Sequence, residues 1–311
     1  MGSEKESSQV FENLLFPKIF QTFRMAIQPT KLIIAFLAVA VICLAGWIMD
    51  FSKTVVVRPE KQLISNEQII IQGKTTELQI YMARPDQVKS YIEQYKESGE
   101  RSGVFSTLWH FATARFHSAL NSLFAFNIPG VAANIAECFK AVGWAIRYHF
   151  LYCIIFFVIK LAVISIAGGS LCRITALQFA RGEKPGLTEA LGFSTKKFLS
   201  LFTAPLVPAG IIIFIGLLIF LLGLTGNIPR AGELLIGIFM LLALIAGALI
   251  AIVLIGTLAG FNLMFPAVAY DGSDCFDAIS RSFSYVYAKP WRMGFYTAFG
   301  YPLVFAAWHM G

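Results

Sequence analysis

Charge is what this sequence has least of. Asp, Glu, Lys and Arg make up only 14% of its 311 residues, against 57% hydrophobic side chains and a mean hydropathy of +0.69. A soluble domain carries roughly 25% charged residues, so the shortage excludes an ordinary cytosolic globule and points to a chain partly solvated by lipid. Five cysteines with no close pair argue against a disulfide scaffold and against a thiolate zinc site. C-x-x-C-H, H-E-x-x-H, a P-loop and G-x-S-x-G are all missing. The expectation is a protein that is not an enzyme and uses neither cofactor nor metal. A cleaved leader does not fit the start: 1–30 is too long and polar for an n-region, and no small-residue cleavage site follows the first apolar run. Gly2 lacks the Ser or Thr at position 6 that a myristoylation signal requires, because Glu6 stands there.

What the sequence does have is long apolar runs. A membrane helix needs about 20 such residues, and five stretches meet or approach that: Leu32–Met49, a run within Tyr148–Leu171, about Leu201–Leu224, about Leu234–Ala269, and Met293–Gly311. Backbone in lipid must satisfy its own hydrogen bonds, so all five are expected as helices. The predicted fold class is an all-α polytopic membrane protein with about five transmembrane helices, interfacial amphipathic helices and a small α+β extracytoplasmic lobe. The last run is short and lacks a flanking charge, which leads to the expectation of a clipped six-helix bundle.

Lys and Arg set the predicted orientation. Lys5, Lys18, Arg24 and Lys31 precede the first run; Arg173, Arg181, Lys184, Lys196 and Lys197 follow the second; Arg281, Lys289 and Arg292 follow the fourth. The turn between the third and fourth holds only Arg230. Alternating crossings put every Lys/Arg-rich short segment on one side, which predicts a bacterial inner (cytoplasmic) membrane protein with a cytoplasmic N-terminus. The 50–147 segment falls outside; its eleven Lys/Arg and nine acidic residues do not oppose this, since long segments cross regardless of charge.

The predicted divisions are a cytoplasmic amphipathic arm (1–31), an anchor (32–49), a lobe (50–103), interfacial helices (104–147) and a bundle (148–311). In the lobe, Thr54–Val57, Gln68–Gln72 and Glu77–Met82 read as strands. Pro85 opens a helix with Val88, Tyr91, Ile92 and Tyr95 on one face. About 50 residues is marginal for an independent core, so the lobe is expected to lean on neighbours. Phe105 to Asn127 keeps a helical period, Pro129-Gly130 interrupts it, and Val131–Ile146 resumes it, which suits helices lying in the outer interface or binding a partner. The arm around Phe11, Leu15 and Phe20 reads the same way.

Two loops resemble each other. Glu189-Ala190-Leu191 followed by Ser194 matches Asp277-Ala278-Ile279 followed by Ser282, so 148–311 reads as two helix–elbow–helix units, with Thr188 and Ser273 near the elbow starts. The run from Phe265-Pro266-Ala267-Val268 through Asp277-Ala278-Ile279-Ser280-Arg281-Ser282 to Pro290-Trp291-Arg292 resembles polytopic bacterial membrane proteins of uncharacterised function. It is similar to the membrane domain attached to some glycerophosphodiester phosphodiesterases and to related six-helix families. Phe23-Arg24-Met25-Ala26-Ile27-Gln28-Pro29-Thr30-Lys31-Leu32 resembles the start of planctomycete membrane proteins. These likenesses cover under a third of the chain and imply a six-helix architecture. They do not imply the phosphodiesterase activity, whose domain this sequence lacks.

Lys160 is the candidate functional residue. It sits about 12 residues, or roughly 18 Å, from either end of its run, and a charge that deep costs at least a few kcal/mol. Its run and the others contain no Asp or Glu, so its counterpart is a carbonyl, Ser165, Asn262, an anionic substrate, a lipid headgroup or another chain. Gly247-x-x-x-Ala251 and Gly256-x-x-x-Gly260 allow close helix packing. His110 and His117, seven apart, are candidates for a metal or haem, though such a pair is more commonly solvated. Asp271, Asp274 and Asp277 read as turn and helix-start residues or as a cation cluster. The net charge of +7 lies beside the apolar runs, so the expected partners are a bilayer with anionic headgroups and other membrane subunits, not nucleic acid. Two functions compete: a scaffold or subunit of a membrane assembly, and a small-solute or ion transporter or channel using Lys160.

Overall fold

A computed structural model describes residues 25–58, 61–65, 68–72, 75–226, 231–291 and 293–295. Contacts divide the chain into two compact units, Val39–Leu161 and the combination of Met1–Ala38 with Ala162–Gly311. Helix α1 (Pro29–Met49) is uncharged after Lys31 and ends in a 3-10 turn, Asp50–Ser52.

In the Val39–Leu161 unit, strands β1 (Val55–Arg58), β2 (Lys61–Ser65), β3 (Gln68–Gln72) and β4 (Thr75–Thr76) follow. β2 and β3 pair with each other, while β1 lies between β4 and β5 (Glu100–Ser102) in an antiparallel sheet, with Val57 opposite both Thr76 and Glu100. The predicted strand at Glu77–Met82 is instead helix α2 (Glu77–Ala83). A capping box decides it: Gln79 N–H donates to Thr76 Oγ1 (3.3 Å), and Thr76 N–H donates to Gln79 Oε1 (3.0 Å). Two otherwise orphaned donors are satisfied, and alternating hydrophobicity is overridden. Helix α3 (Val88–Tyr95) turns Val88 and Tyr91 inward. The Tyr91 hydroxyl accepts from Arg58 N–H (3.0 Å) and donates to the Thr75 carbonyl (2.6 Å), tying α3 to β1 and β4. Burial pushes the Tyr91 phenol up from its usual range.

Helices α4 (Val104–Phe124) and α5 (Ile128–Tyr148) pack on each other as a hairpin. Pro129 does not interrupt a helix here, as the sequence reading had it. It occupies the first turn of α5, where its missing N–H costs nothing, and Asn127 caps that turn by accepting from Gly130 N–H (3.0 Å). The lobe does lean on this hairpin, because Val55 and Leu78 share a buried core with Val104, Ala141, Trp144 and Ala145. Phe126, between the helices, has φ 53°. Its N–H reaches Leu123 O (3.0 Å) and Asn127 N–H reaches Ser122 O (2.8 Å), a left-handed helix stop of the Schellman type. Glycine is the usual residue there, and a side chain costs about 1 kcal/mol.

Helix α6 (Phe150–Arg181) enters the second unit at Ala162. It ends at Gly182 (φ 70°), and α7 (Leu187–Lys196) and α8 (Phe198–Thr203) follow. The third predicted span is therefore broken: α8 stops ahead of Pro205, and α9 (Leu206–Thr225) carries the long apolar run. Helix α10 (Ala231–Asp271) is 41 residues long, includes Pro266 and ends at Gly272 (φ 69°). Helix α11 (Cys275–Ala288) then folds back, with Phe283 near Gly256 and Tyr287 bonded to the Ile252 carbonyl. The two elbow sequences occupy matching places. Ala190 and Ala278, like Ser194 and Ser282, are fully buried, and each elbow follows a glycine in the left-handed region. Thr188 and Ser273 lie near the elbow starts, Thr188 in the first turn of α7 and Ser273 just ahead of α11, with Gly186 and Asp274 as the capping positions.

The chain is thus predominantly helical, with four helices among the described residues long and apolar enough to cross a membrane: α1, α6, α9 and α10. Residues 293–295 are helical, and the rest of the predicted fifth run lies outside the described residues, as does most of the N-terminal arm. At about 1.5 Å per residue α9 has the length of a bilayer core, whereas α6 and α10 are longer than one.

Two outcomes follow from this packing. A Cβ on Gly169 would meet Leu201 Cδ1 at 2.4 Å, while one on Gly216 would meet nothing within 4 Å. Thermal unfolding in detergent should show Gly169→Ala destabilised by about 1–3 kcal/mol and Gly216→Ala unchanged or slightly stabilised. Because the folded-state pKa of Tyr91 lies above its unfolded value of about 10, its contribution is complete below that pH and is lost as pH rises further. Alkaline titration of lobe unfolding should show this loss in the wild type and its absence in Tyr91→Phe.

Candidate functional site

Lys160 lies on α6, exposed, in a stretch where Phe157 and Val158 are exposed too. It makes no hydrogen bond or ion pair among the described residues, and Ser165, one of its expected partners, is fully buried. Along α6 it lies ten residues from the start at Phe150 and twenty-one from the end at Arg181. Tyr152 OH donates to Asp50 Oδ1 (3.2 Å), which fixes Tyr152 at the level where α1 ends. Lys160 follows Tyr152 by eight residues, about 12 Å of helix. Its side chain is exposed among the described residues.

The glycine stripe on α10 divides. A Cβ on Gly256 would sit 3.1 Å from the Phe283 ring, and one on Gly260 would sit 3.1 Å from Ser282 Oγ, so both admit α11. Gly247 has no such neighbour, and Ala251 is exposed. His110 and His117 are both exposed, and no group of three metal-ligating side chains occurs among the described residues. Two of the three aspartates hold an arginine: Arg281 pairs with Asp277 at 3.0 Å and with Asp271, while Asp274 caps α11 by accepting from Asp277 N–H (3.0 Å). Their carboxylates push the Arg281 guanidinium still higher in pKa.

The best-built polar constellations are ones the sequence reading passed over. The Asp50 carboxylate accepts from Phe105 N–H (2.9 Å), from Ser106 N–H (2.7 Å) and from the Ser106 hydroxyl, besides Tyr152. Helix α4 has glycine, Gly103, at its own cap, and Asp50 supplies the missing side chain. The fit admits nothing larger, since a Cβ on Gly103 would fall 2.0 Å from Asp50 Cγ. Close by in the same unit, buried Glu77 accepts from Trp144 Nε1 (3.2 Å) and from Val56 N–H (3.4 Å), with His149 Nε2 at 3.5 Å. In the other unit Arg173 donates to the Ala269 (2.8 Å) and Tyr270 (3.0 Å) carbonyls, over the Phe193 ring at 4.5 Å. It thereby closes the C-terminal end of α10. Lys31, buried at the start of α1, donates to Gln178 Oε1 (3.0 Å). The signal for Asp50 was present, as the first acid after an apolar run; nothing local tied it to Gly103.

No family model, curated protein or solved structure matches the chain. What the geometry itself offers is a set of buried polar locks, an exposed lysine within an apolar run, and a shallow groove of about 470 Å³ between α4 and α5, lined by Trp109, Phe116, Ile135 and Arg115 among others. Arg115 is paired with Glu137 at 2.8 Å.

The Asp50 lock is testable by a double-mutant cycle. Gly103→Ala should cost about 1–3 kcal/mol in the wild type and close to nothing in an Asp50→Ala background, read by thermal unfolding in bilayer discs.

Proposed function

We propose that this chain is a non-catalytic, multi-pass subunit or scaffold of a larger inner-membrane assembly, with its N-terminus in the cytoplasm and five crossings. Lys160 carries the reading. An exposed ammonium on an apolar helix, among exposed apolar neighbours and without a partner among the described residues, calls for a counter-charge beyond them, which this reading places on another chain. A carboxylate on a neighbouring subunit's helix supplies one in the way that intramembrane charges usually pair. A transporter would turn such a charge toward a bundle interior or a water-filled cavity, so the exposure of Lys160 supports the assembly role. Lys and Arg beside the spans favour anionic headgroups as the surrounding lipid. The likeness of the stretch from Phe265 to Arg292 to six-helix membrane domains supports a bundle of that kind.

Native mass spectrometry of the gently extracted protein tests this. The wild type and Lys160→Arg should travel in a complex, and Lys160→Leu should release it as a monomer with unchanged melting behaviour. A solitary wild-type monomer would overturn the proposal, and an intact Lys160→Leu complex would remove Lys160 from it.

A further inference from the structure

The α4–α5 hairpin carries an apolar face that nothing in its own unit covers. On α5, Ile128, Ile135, Phe139, Val142 and Ile146 recur at the spacing of one helical stripe, and all are exposed. Trp109, Phe116 and Leu123 repeat at intervals of seven along α4 and are exposed as well. The two stripes merge, since Trp109, Phe116 and Ile135 line one groove. Lys140 and Arg147 fall on a different side of α5 from its apolar stripe, and so does Glu137, paired with Arg115. The face ends in a tip that is barer still: Phe124 is 78% exposed, Phe126 93% and Ile128 75%.

The tip is also where backbone conformation and residue type conflict. At two other helix ends the chain places glycine in the left-handed region, Gly182 and Gly272. At the hairpin tip it places phenylalanine there. A strained position filled by a large apolar side chain that touches almost nothing in the protein is explained by something outside the protein.

Continuity identifies that something. Asp50 is the first residue past α1, and its carboxylate holds the first turn of α4. Phe105, in that turn, stacks toward Gly46 of α1 and Phe156 of α6. The hairpin therefore starts at the boundary where two spanning helices leave the hydrocarbon. Its apolar face extends the lipid-facing surface of those helices.

We infer that the α4–α5 hairpin is a lipid-seated paddle: its apolar face lies in the leaflet at the Asp50 end of α1, in the chain's own bilayer, with Phe124, Phe126 and Ile128 as its inserted wedge. The inference rests on α1 crossing that bilayer and is independent of Lys160. Segments of this kind, with one apolar and one polar face, bind in the interface with that face sunk below the headgroups.

Photocrosslinking in bilayer discs tests the paddle on the full chain. Benzoylphenylalanine replaces Phe126, Phe139, His117 or Phe36, the last being an exposed residue of α1. Mass spectrometry should find lipid adducts at Phe126 and Phe139 at the level of Phe36, and about tenfold fewer at His117, on the polar side. Discs hold one bilayer, so adducts there mean the chain's own membrane. Adducts at Phe36 without any at Phe126 would overturn the paddle, as would a protein partner crosslinked at Phe126 in native membranes. Absence at Phe36 as well would instead remove the spanning reading beneath it. Phe126→Gly separates wedge from fold: it relieves the strained turn, so melting should hold or rise while the Phe139 lipid adduct falls.

Discussion

A carboxylate at the end of an apolar helix governs the architecture of the Val39–Leu161 unit. Asp50 leaves the membrane run of α1 and is immediately enclosed by the N-terminal turn of α4 and by Tyr152 of α6. Charge-assisted bonds of this sort contribute roughly 1.5–3 kcal/mol each when both partners are present, and an unpaired buried carboxylate costs more than that. The arrangement is therefore all-or-none, and Gly103 is the steric condition for it. The paddle, the small sheet and the entry of α6 all take their bearings from that junction. Glu77 reinforces it from the sheet side, joining β1 to the end of α5 through Val56, Trp144 and His149.

The second unit is held by a different economy, one of small residues and helix ends. Ala190, Ala278, Ser194 and Ser282 let the short helices α7 and α11 approach the long ones closely, with Ser170 bonded to Ser194 at 2.9 Å. Leu201, Phe265, Val268 and Ala278 form a buried cluster where α8, α10 and α11 meet. Most of the remaining apolar surface on the spanning helices stays exposed, as expected where the solvent is hydrocarbon and burial among helices brings little hydrophobic gain.

How much of this was legible depended on the range of the interaction. Runs of apolar residues located α1, α6, α9 and α10, because the bilayer selects by composition and length alone. Hydropathy does not mark the helix ends, since α6 continues past its apolar run to Arg181 and Pro205 divides a run that hydropathy joins. The Glu77 segment failed because alternation and a capping box competed, and the cap, a two-residue device, won. Lys160 was found from its isolation in an apolar run; its exposure needed the helix rotation that packing sets. Asp50 with Gly103 and Glu77 with Trp144 pair residues far apart in sequence, and no local pattern links them.

Arg173 gives the fold an order in time. Its partners, the carbonyls of Ala269 and Tyr270, come 96 and 97 residues later in the chain. Synthesis runs from the N-terminus at roughly 5–20 residues per second, so α6 is made well before those carbonyls exist. The ring partner of Arg173, Phe193, comes only 20 residues after it and is therefore made first. The contact between α6 and the end of α10 therefore forms only once Tyr270 has been made, with α11 still to follow.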